Sequence, residues 1–460
     1  VNLNANGAPT VLVPVPTATA CGGAPCRPLI GNSGAGSNVV AATDVIPAVI
    51  GGFRIDPPGG ASNAIDVTTN VAFVGTGTLD IRNNIVIDAG AEGIDINANG
   101  TGANALTLLL HDNQLQATTG NAIDIVRTAG TLTITAFDDN VVTGAALANG
   151  IVVTGATFDT VAGNPIVAVP GGTTTIGVSG DGVGTGGLLL TTVVGELAFT
   201  DLDIFNGAGT GLGVTSTGAL NAAAGTGFRI SVPAGVATVD TSTGPAVSIN
   251  NASISLPLNF LRSTNSTTNG VSLVNAFGAL AGTALSASGG QITDPGAASG
   301  TAVNISGGTG NITLALPITN SSGRAVDVNT RASDTVLFSG AVAETGTGIS
   351  LTNNGGATIN FTGGLTASTG TNAAFAVTGG GTVSVTGATN TLATTTATAL
   401  NVANTTIGAG GLTFRSIAAN GATNGIVLNT TGAGGLTVTG TGAAGTGGTV
   451  QNSTATGILL

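Results

Sequence analysis

The sequence predicts an all-β protein, a single right-handed parallel β-helix (β-solenoid) of roughly 15 coils with three short strands to a coil. Three observations predict it. A motif made of a small turn residue and an apolar–polar–apolar run recurs through the whole chain. The composition, with 77 Gly and only 7% charged residues, is that of tight turns joined by short strands. No heptad or 3.6-residue pattern persists, so period-two alternation is the one regular signal.

The motif is clearest at Gly93-Ile94-Asp95-Ile96-Asn97-Ala98-Asn99-Gly100. It returns as Asn121-Ala122-Ile123-Asp124-Ile125, Asn149-Gly150-Ile151-Val152-Val153, Asn424-Gly425-Ile426-Val427-Leu428 and Thr456-Gly457-Ile458-Leu459-Leu460. Val1-Asn2-Leu3-Asn4-Ala5-Asn6-Gly7 copies it almost residue for residue. The first apolar residue of each copy marks the coils, from Val39, Ile65, Ile94, Ile123 and Ile151 through Val326, Ile349, Ala374, Leu400 and Ile426 to Ile458. Neighbouring markers lie 23 to 37 residues apart. That spread excludes strict hexapeptide repeats and suits coils whose turns differ in length.

The coil interior follows the same logic. After the Ile94 strand come Ala105–Leu110, a turn at Asp112-Asn113, and Leu115-Gln116-Ala117. The next coil gives Thr131–Thr135, Asp139-Asn140 and Val141-Val142, with Leu132 and Ile134 on one face and the threonines on the other. Phe73, Phe137 and Phe205 are expected to fill wider places in the core. Asn84, Asn113 and Asn140 fall at matching turn points of successive coils. Asn tolerates the left-handed backbone and bonds its neighbour's main chain, and identical Asn stacked coil on coil form a structural ladder.

Residues 1–45 are the least regular, with Pro14, Pro16, Pro25 and Pro28 opposing central strand pairing. They predict an N-terminal cap or inter-subunit contact segment, followed by a continuous parallel β-helix over 46–460. Within the first segment, Cys21 and Cys26 flank Gly-Gly-Ala-Pro, a loop able to bend back into a local disulfide. Two thiols are too few for structural zinc, and the spacing is not that of a redox motif. A disulfide implies an oxidising, extracytoplasmic location.

A net charge of −12 with nine Arg and no Lys provides no basic footprint for nucleic acid. With 42% apolar residues the chain is not of disordered composition. No apolar run approaches the ~18–20 residues of a transmembrane helix. The start at Val1, without a signal-peptide core, is expected of a processed chain or part of a longer precursor.

These repeats resemble the right-handed parallel β-helix proteins of bacterial cell surfaces, in the pectate-lyase-like superfamily. The likeness is strongest in Gly425–Gly440 and in the Gly447-Gly448-Thr449-Val450 run after it, which are similar to the large Gly/Thr/Asn-rich extracellular members. The resemblance implies a fold; its members include adhesin passengers, surface fibres, tail-spike-like modules and polysaccharide lyases.

The enzymes of that scaffold gather Asp with Arg or Lys in a groove. The nearest constellation in this chain is Asp112, Asp138, Asp139 and Arg127 with His111 beside it. Adjacent Asp138 and Asp139 point to opposite faces of a strand and make a poor carboxylate pair, and turn chemistry explains both. His111 is the sole histidine and is expected to be a polar turn residue beside Asp112. Asp80, Asp88, Asp95, Asp201 and Asp203 read as outward, solubilising residues. Asp80, Asp112 or Asp138 are the places where calcium would sit, though no EF-hand or Ca-binding nonapeptide array is present. No other cofactor is expected. Roughly ten Asn-x-Ser/Thr sequons leave surface glycosylation open. Thr pairs such as Thr133/Thr135 do not make the flat regular rows that ice binding requires.

The expected function is therefore non-enzymatic: an extracellular, cell-surface structural subunit of a homopolymeric fibre. Val1 and Leu3 at one end, and Ile458 and Leu460 at the other, are in the same phase of the coil and are the expected head-to-tail stacking strands. The alternatives are an adhesin stalk binding a glycan or surface ligand, and a carbohydrate-active lyase or hydrolase.

Overall fold

The computed structural model describes residues 2–4, 11–12, 29–30, 38–44, 49–57, 62–69, 76–100, 105–116, 119–144, 148–161, 163–279, 282–293 and 300–460. It is an all-β, right-handed parallel β-solenoid of about 14 turns, with essentially no helix. The chain forms two compact units, Val1–Thr238 with Asn251–Ser253, and Val239–Asn250 with Ile254–Leu460.

In the first unit the strands fall into three columns. Ile65–Thr69, Ile94–Ala98 and Ile123–Arg127 stack in the first column, Thr76–Arg82, Ala105–His111 and Thr131–Ala136 in the second, and Ile85–Ile87, Gln114–Gln116 and Val141–Thr143 in the third. Every one of these pairings is parallel. Ile65, Ile94, Ile123, Ile151, Leu188 and Leu212 stand directly opposite one another in turn. All six are buried. Alternation puts them inward and the residues between them outward, so a slip of one residue would invert the faces. Strand Gly186–Ala208 runs without a break through what are three separate strands elsewhere.

The second unit repeats the plan with shorter coils. Arg324–Asn329, Ile349–Thr352, Phe375–Thr378, Leu400–Ala403 and Ile426–Asn429 form its first column. Phe338 stacks on Phe361 at 4.8 Å, and Phe361 meets Phe375 edge-on at 5.6 Å. The first unit has a counterpart in Phe137 and Phe158, edge-on at 5.7 Å.

The structure corrects three readings. Phe375, not Ala374, faces Ile349 and Leu400, and Val40, not Val39, faces Ile65. The residue before most markers is small and buried, such as Ala64, Ala122, Ala325 or Ala399, and fills the corner entering the strand. Phe205 is only half-buried, because it lies between the inward Ile204 and Asn206 and so points outward. The left-handed residue of each ladder turn precedes the ladder Asn: Asn83, Asp112 and Asp139 have φ of 57°, 58° and 55°.

Within 1–45, strands Asn2–Asn4, Val11–Leu12 and Leu29–Ile30 pair in parallel with Val40–Thr43, Val49–Gly51 and Arg54–Ile55. Val1, Cys21, Cys26 and Phe73 lie outside the described residues.

Candidate functional site

Three aspartates make the most distinctive outward feature of the first unit. Alternation turns Ile94 and Ile96 inward and Asp95 outward; register then sets Asp66 and Asp124 directly on either side of Asp95. Equivalent side chains on paired strands are ~4.8 Å apart, so the carboxylates stand in one column. Ala41 and Val152 occupy the same position at its ends.

Each carboxylate receives a turn amide. Asn38 donates to Asp66, Asn63 Nδ2 donates to Asp95 at 2.9 Å, and Asn121 Nδ2 donates to Asp124 at 3.0 Å. Thr68 Oγ1 and Asn97 Nδ2 add bonds to Asp66 and Asp95 at 3.0 and 2.8 Å. Asp124 Oδ1 is buried without a hydrogen-bond partner. Burial pushes all three carboxyls above the ordinary range. Asp95, in the middle, rises to about 7, first by burial and then by repulsion from Asp66, Asp124 and Glu92. The sequence shows this column as Ile-Asp-Ile written twice, but a strand taken alone makes such an Asp look solvated.

The constellation expected from the sequence is partly brought together. His111 Nδ1 lies 2.8 Å from Asp112 Oδ2, and its Nε2 lies 3.3 Å from Asp80 Oδ1. Arg82 also reaches Asp80, at 2.9 Å. Asp80 is therefore not a solubilising residue; it is 8% exposed and braces neighbouring coils. Arg127 turns elsewhere, donating to the carbonyls of Gly155 and Gly130. Asp139 Oδ1 accepts the Thr173 backbone N–H at 2.7 Å. Among the described residues no group of three or more His, Cys, Asp or Glu is arranged to hold a metal ion.

Asn84, Asn113 and Asn140 are completely buried. Asn84 Nδ2 donates to Asn113 Oδ1, and Asn113 Nδ2 donates to Asn140 Oδ1, each at 3.1 Å. Their second protons go to the carbonyls of Ile50, Ile81 and Leu110. The side chains thus satisfy backbone groups that the turns leave unpaired.

Sequence reasoning missed their equivalents in the second unit. Asn354 Oδ1 accepts the Arg331 N–H, and Asn390 Oδ1 accepts the Leu365 N–H. Glu344 stands opposite Asn320 in the register. Its carboxylate accepts backbone N–H groups of Ala325 and Gly346, and burial raises it to about 7 despite those bonds. Arg331, 1% exposed, donates to the carbonyls of Gly307 and Gly310, and burial lowers it to about 10. Only the spacing of aligned turns would have identified these, and unequal coil lengths hide it. An open, uncharged cleft of about 490 Å³ lies along Gly356, Gly380, Thr382, Thr405, Thr406 and Gly432.

Of the terminal residues, Leu3 belongs to a strand paired with Val40–Thr43, and Ile458 stands opposite Ile426. Ile458 and Leu460 are 52% and 86% exposed. Among the described residues no helix is long and apolar enough to cross a membrane.

What the fold and these side chains define is a parallel β-solenoid repeat protein. No protein family, curated protein or solved structure matches this chain.

Proposed function

We propose that this chain is a non-enzymatic, extracellular structural protein, a solenoid subunit of a surface fibre of the kind found among Gly/Thr/Asn-rich bacterial β-helix proteins. One observation carries the reading: the polar side chains at buried positions are used to fasten coil to coil. Asn84, Asn113 and Asn140 bridge turns, Arg229 clasps Glu196 in two bonds, and Arg262 clasps Asp240 in two. Stacked parallel coils also present backbone edges that accept a further coil. Head-to-tail stacking of subunits, using the first-column strands Asn2–Asn4 and Ile458–Leu459, is the finer form of the proposal. Electron microscopy of purified protein across a concentration series tests it: filaments that lengthen with concentration support it, and separate particles of one size at every concentration overturn it.

The aspartate column favours one other reading, a glycoside hydrolase. Retaining enzymes place two carboxyls ~5–5.5 Å apart, one of them protonated near neutrality, and the column has about that spacing. A polysaccharide screen with Asp95→Asn as control separates the two. Hydrolysis that this variant abolishes would replace the structural reading.

A further inference from the structure

We propose that Asp66, Asp95 and Asp124 form a pH-responsive clasp, in which a proton held by the column keeps the coils of strands Ile65–Thr69, Ile94–Ala98 and Ile123–Arg127 closed, and its loss loosens them.

The column cannot relax by sliding. Ile65, Ile94 and Ile123 are buried on the opposite face of the same strands, and a one-residue slip would carry the carboxylates into the core. Three like charges at strand spacing can separate only if a strand lifts away.

Among the described residues the surroundings supply more negative charge and no counter-ion. On the flanking strands Asp66 and Asp124 face Ala41 and Val152. Asp44 follows the outer strand Val40–Thr43. Among the described ion pairs none reaches Asp66, Asp95 or Asp124. Arg127, at the end of its strand, is taken up by the carbonyls of Gly155 and Gly130. The turns entering the strands carry a second column, in which Asn149 Nδ2 donates to Asn121 Oδ1 and Asn38 Oδ1 accepts the Asn63 N–H. In the middle coil that position holds Glu92, whose backbone N–H bonds Asn63 Oδ1. An acid thus replaces an amide beside the central aspartate.

Burial and like charge act in the same direction as the geometry. Asp95 is raised from 3.8 to about 7, so the folded strands bind the proton more tightly than the unfolded chain does. The contribution to closure is full below about pH 4 and is lost as pH rises through about 7.

Hydrogen exchange on the full chain tests this, with amide protection corrected for the intrinsic pH dependence of exchange. Protection of Ile65–Thr69, Ile94–Ala98 and Ile123–Arg127 is expected to fall by roughly tenfold or more from pH 5 to pH 8, as one linked proton requires. Leu400–Ala403, in the unit that holds Glu344, serves as the internal control: its pH dependence should be the same in the unaltered chain and in Asp95→Asn. Asp95→Asn should remove most of this fall, leaving only what the buried Asp66 and Asp124 contribute, and Glu92→Gln should shift the fall to lower pH. The infrared difference at pH 6 between the unaltered chain and Asp95→Asn should show the loss of one protonated carboxyl, with the absorption of Glu344 left in place. Should that variant fail to fold, Asp66→Asn, at the edge of the column, takes its place and should shift the fall to lower pH. Equal protection at pH 5 and pH 8 in the unaltered chain, or a full response retained in the variants, overturns the proposal.

Discussion

At one ladder position the two units differ sharply. The first stacks Ala41, Asp66, Asp95, Asp124 and Val152; the second stacks Ser272, Asn304, Asp327, Ser350, Ala376 and Asn401. Asp327 has neutral neighbours on both sides, a bond from Asn329 Nδ2 at 3.2 Å, and Arg324 at 3.5 Å. Asp95 has a carboxylate on each side and amides alone to balance it. The same parallel register that builds a neutral ladder in one unit concentrates charge in the other. A parallel solenoid therefore multiplies whatever its outward position holds, and a charge repeated there becomes a titrating element.

The largest effects are expected in the buried cores of the two units. Phe361→Ala removes the ring between Phe338 and Phe375 and should cost the second unit about 3–5 kcal/mol. Denaturant melts followed by residue-resolved exchange should show that loss in the second unit. Asn113→Ala is the parallel break in the first unit. It takes the side-chain partner from the Asn84 N–H and the Ile81 carbonyl and leaves Asn140 Oδ1 only the long bond from the residue-113 backbone N–H, for about 2–4 kcal/mol by the same measurement.

A gentler probe concerns the second unit's own buried acid. Glu344 is raised from 4.5 to about 7, so its folded form prefers the proton. Its contribution is full below about pH 4.5 and is lost as pH rises through about 7. Glu344→Gln should flatten this unit's stability across that window, a change on the order of 1–2 kcal/mol in urea titrations at the two pH limits. The smallest effect sharpens the contrast directly. Ser350→Asp sets a carboxylate beside Asp327 and should add a weak preference for acid to that of Glu344, below about 1 kcal/mol since Arg324 stands near. An unchanged pH profile in exchange at Ile349–Thr352 would show that stacking alone does not produce the response.

The candidate features were unequally legible in the sequence. Asn84, Asn113 and Asn140 stand out because each precedes an aliphatic strand after a turn of the same two-residue form. Asn354, Asn390 and Glu344 do the same work but sit in turns of different length and composition. His111 beside Asp112 was visible as neighbours in the chain; Asp80 and Arg82 come from the preceding coil and meet His111 only through stacking. Asp138, Asp139 and Arg127 are near one another in the chain, yet Arg127 and Asp139 are drawn to different backbone groups.

The sequence by itself determined the coil: alternating apolar residues, small corner residues and repeated turns prescribe strands that must bury one face against their neighbours. Only the tertiary structure decided which residues of different coils share a position. That choice depends on register, and register is set by how the turns of each coil close, which the spacing of residues along the chain does not reveal. Ile94-Asp95-Ile96 is thus a strand in the sequence. It becomes the centre of a charged column once Asp66 and Asp124 are placed on either side.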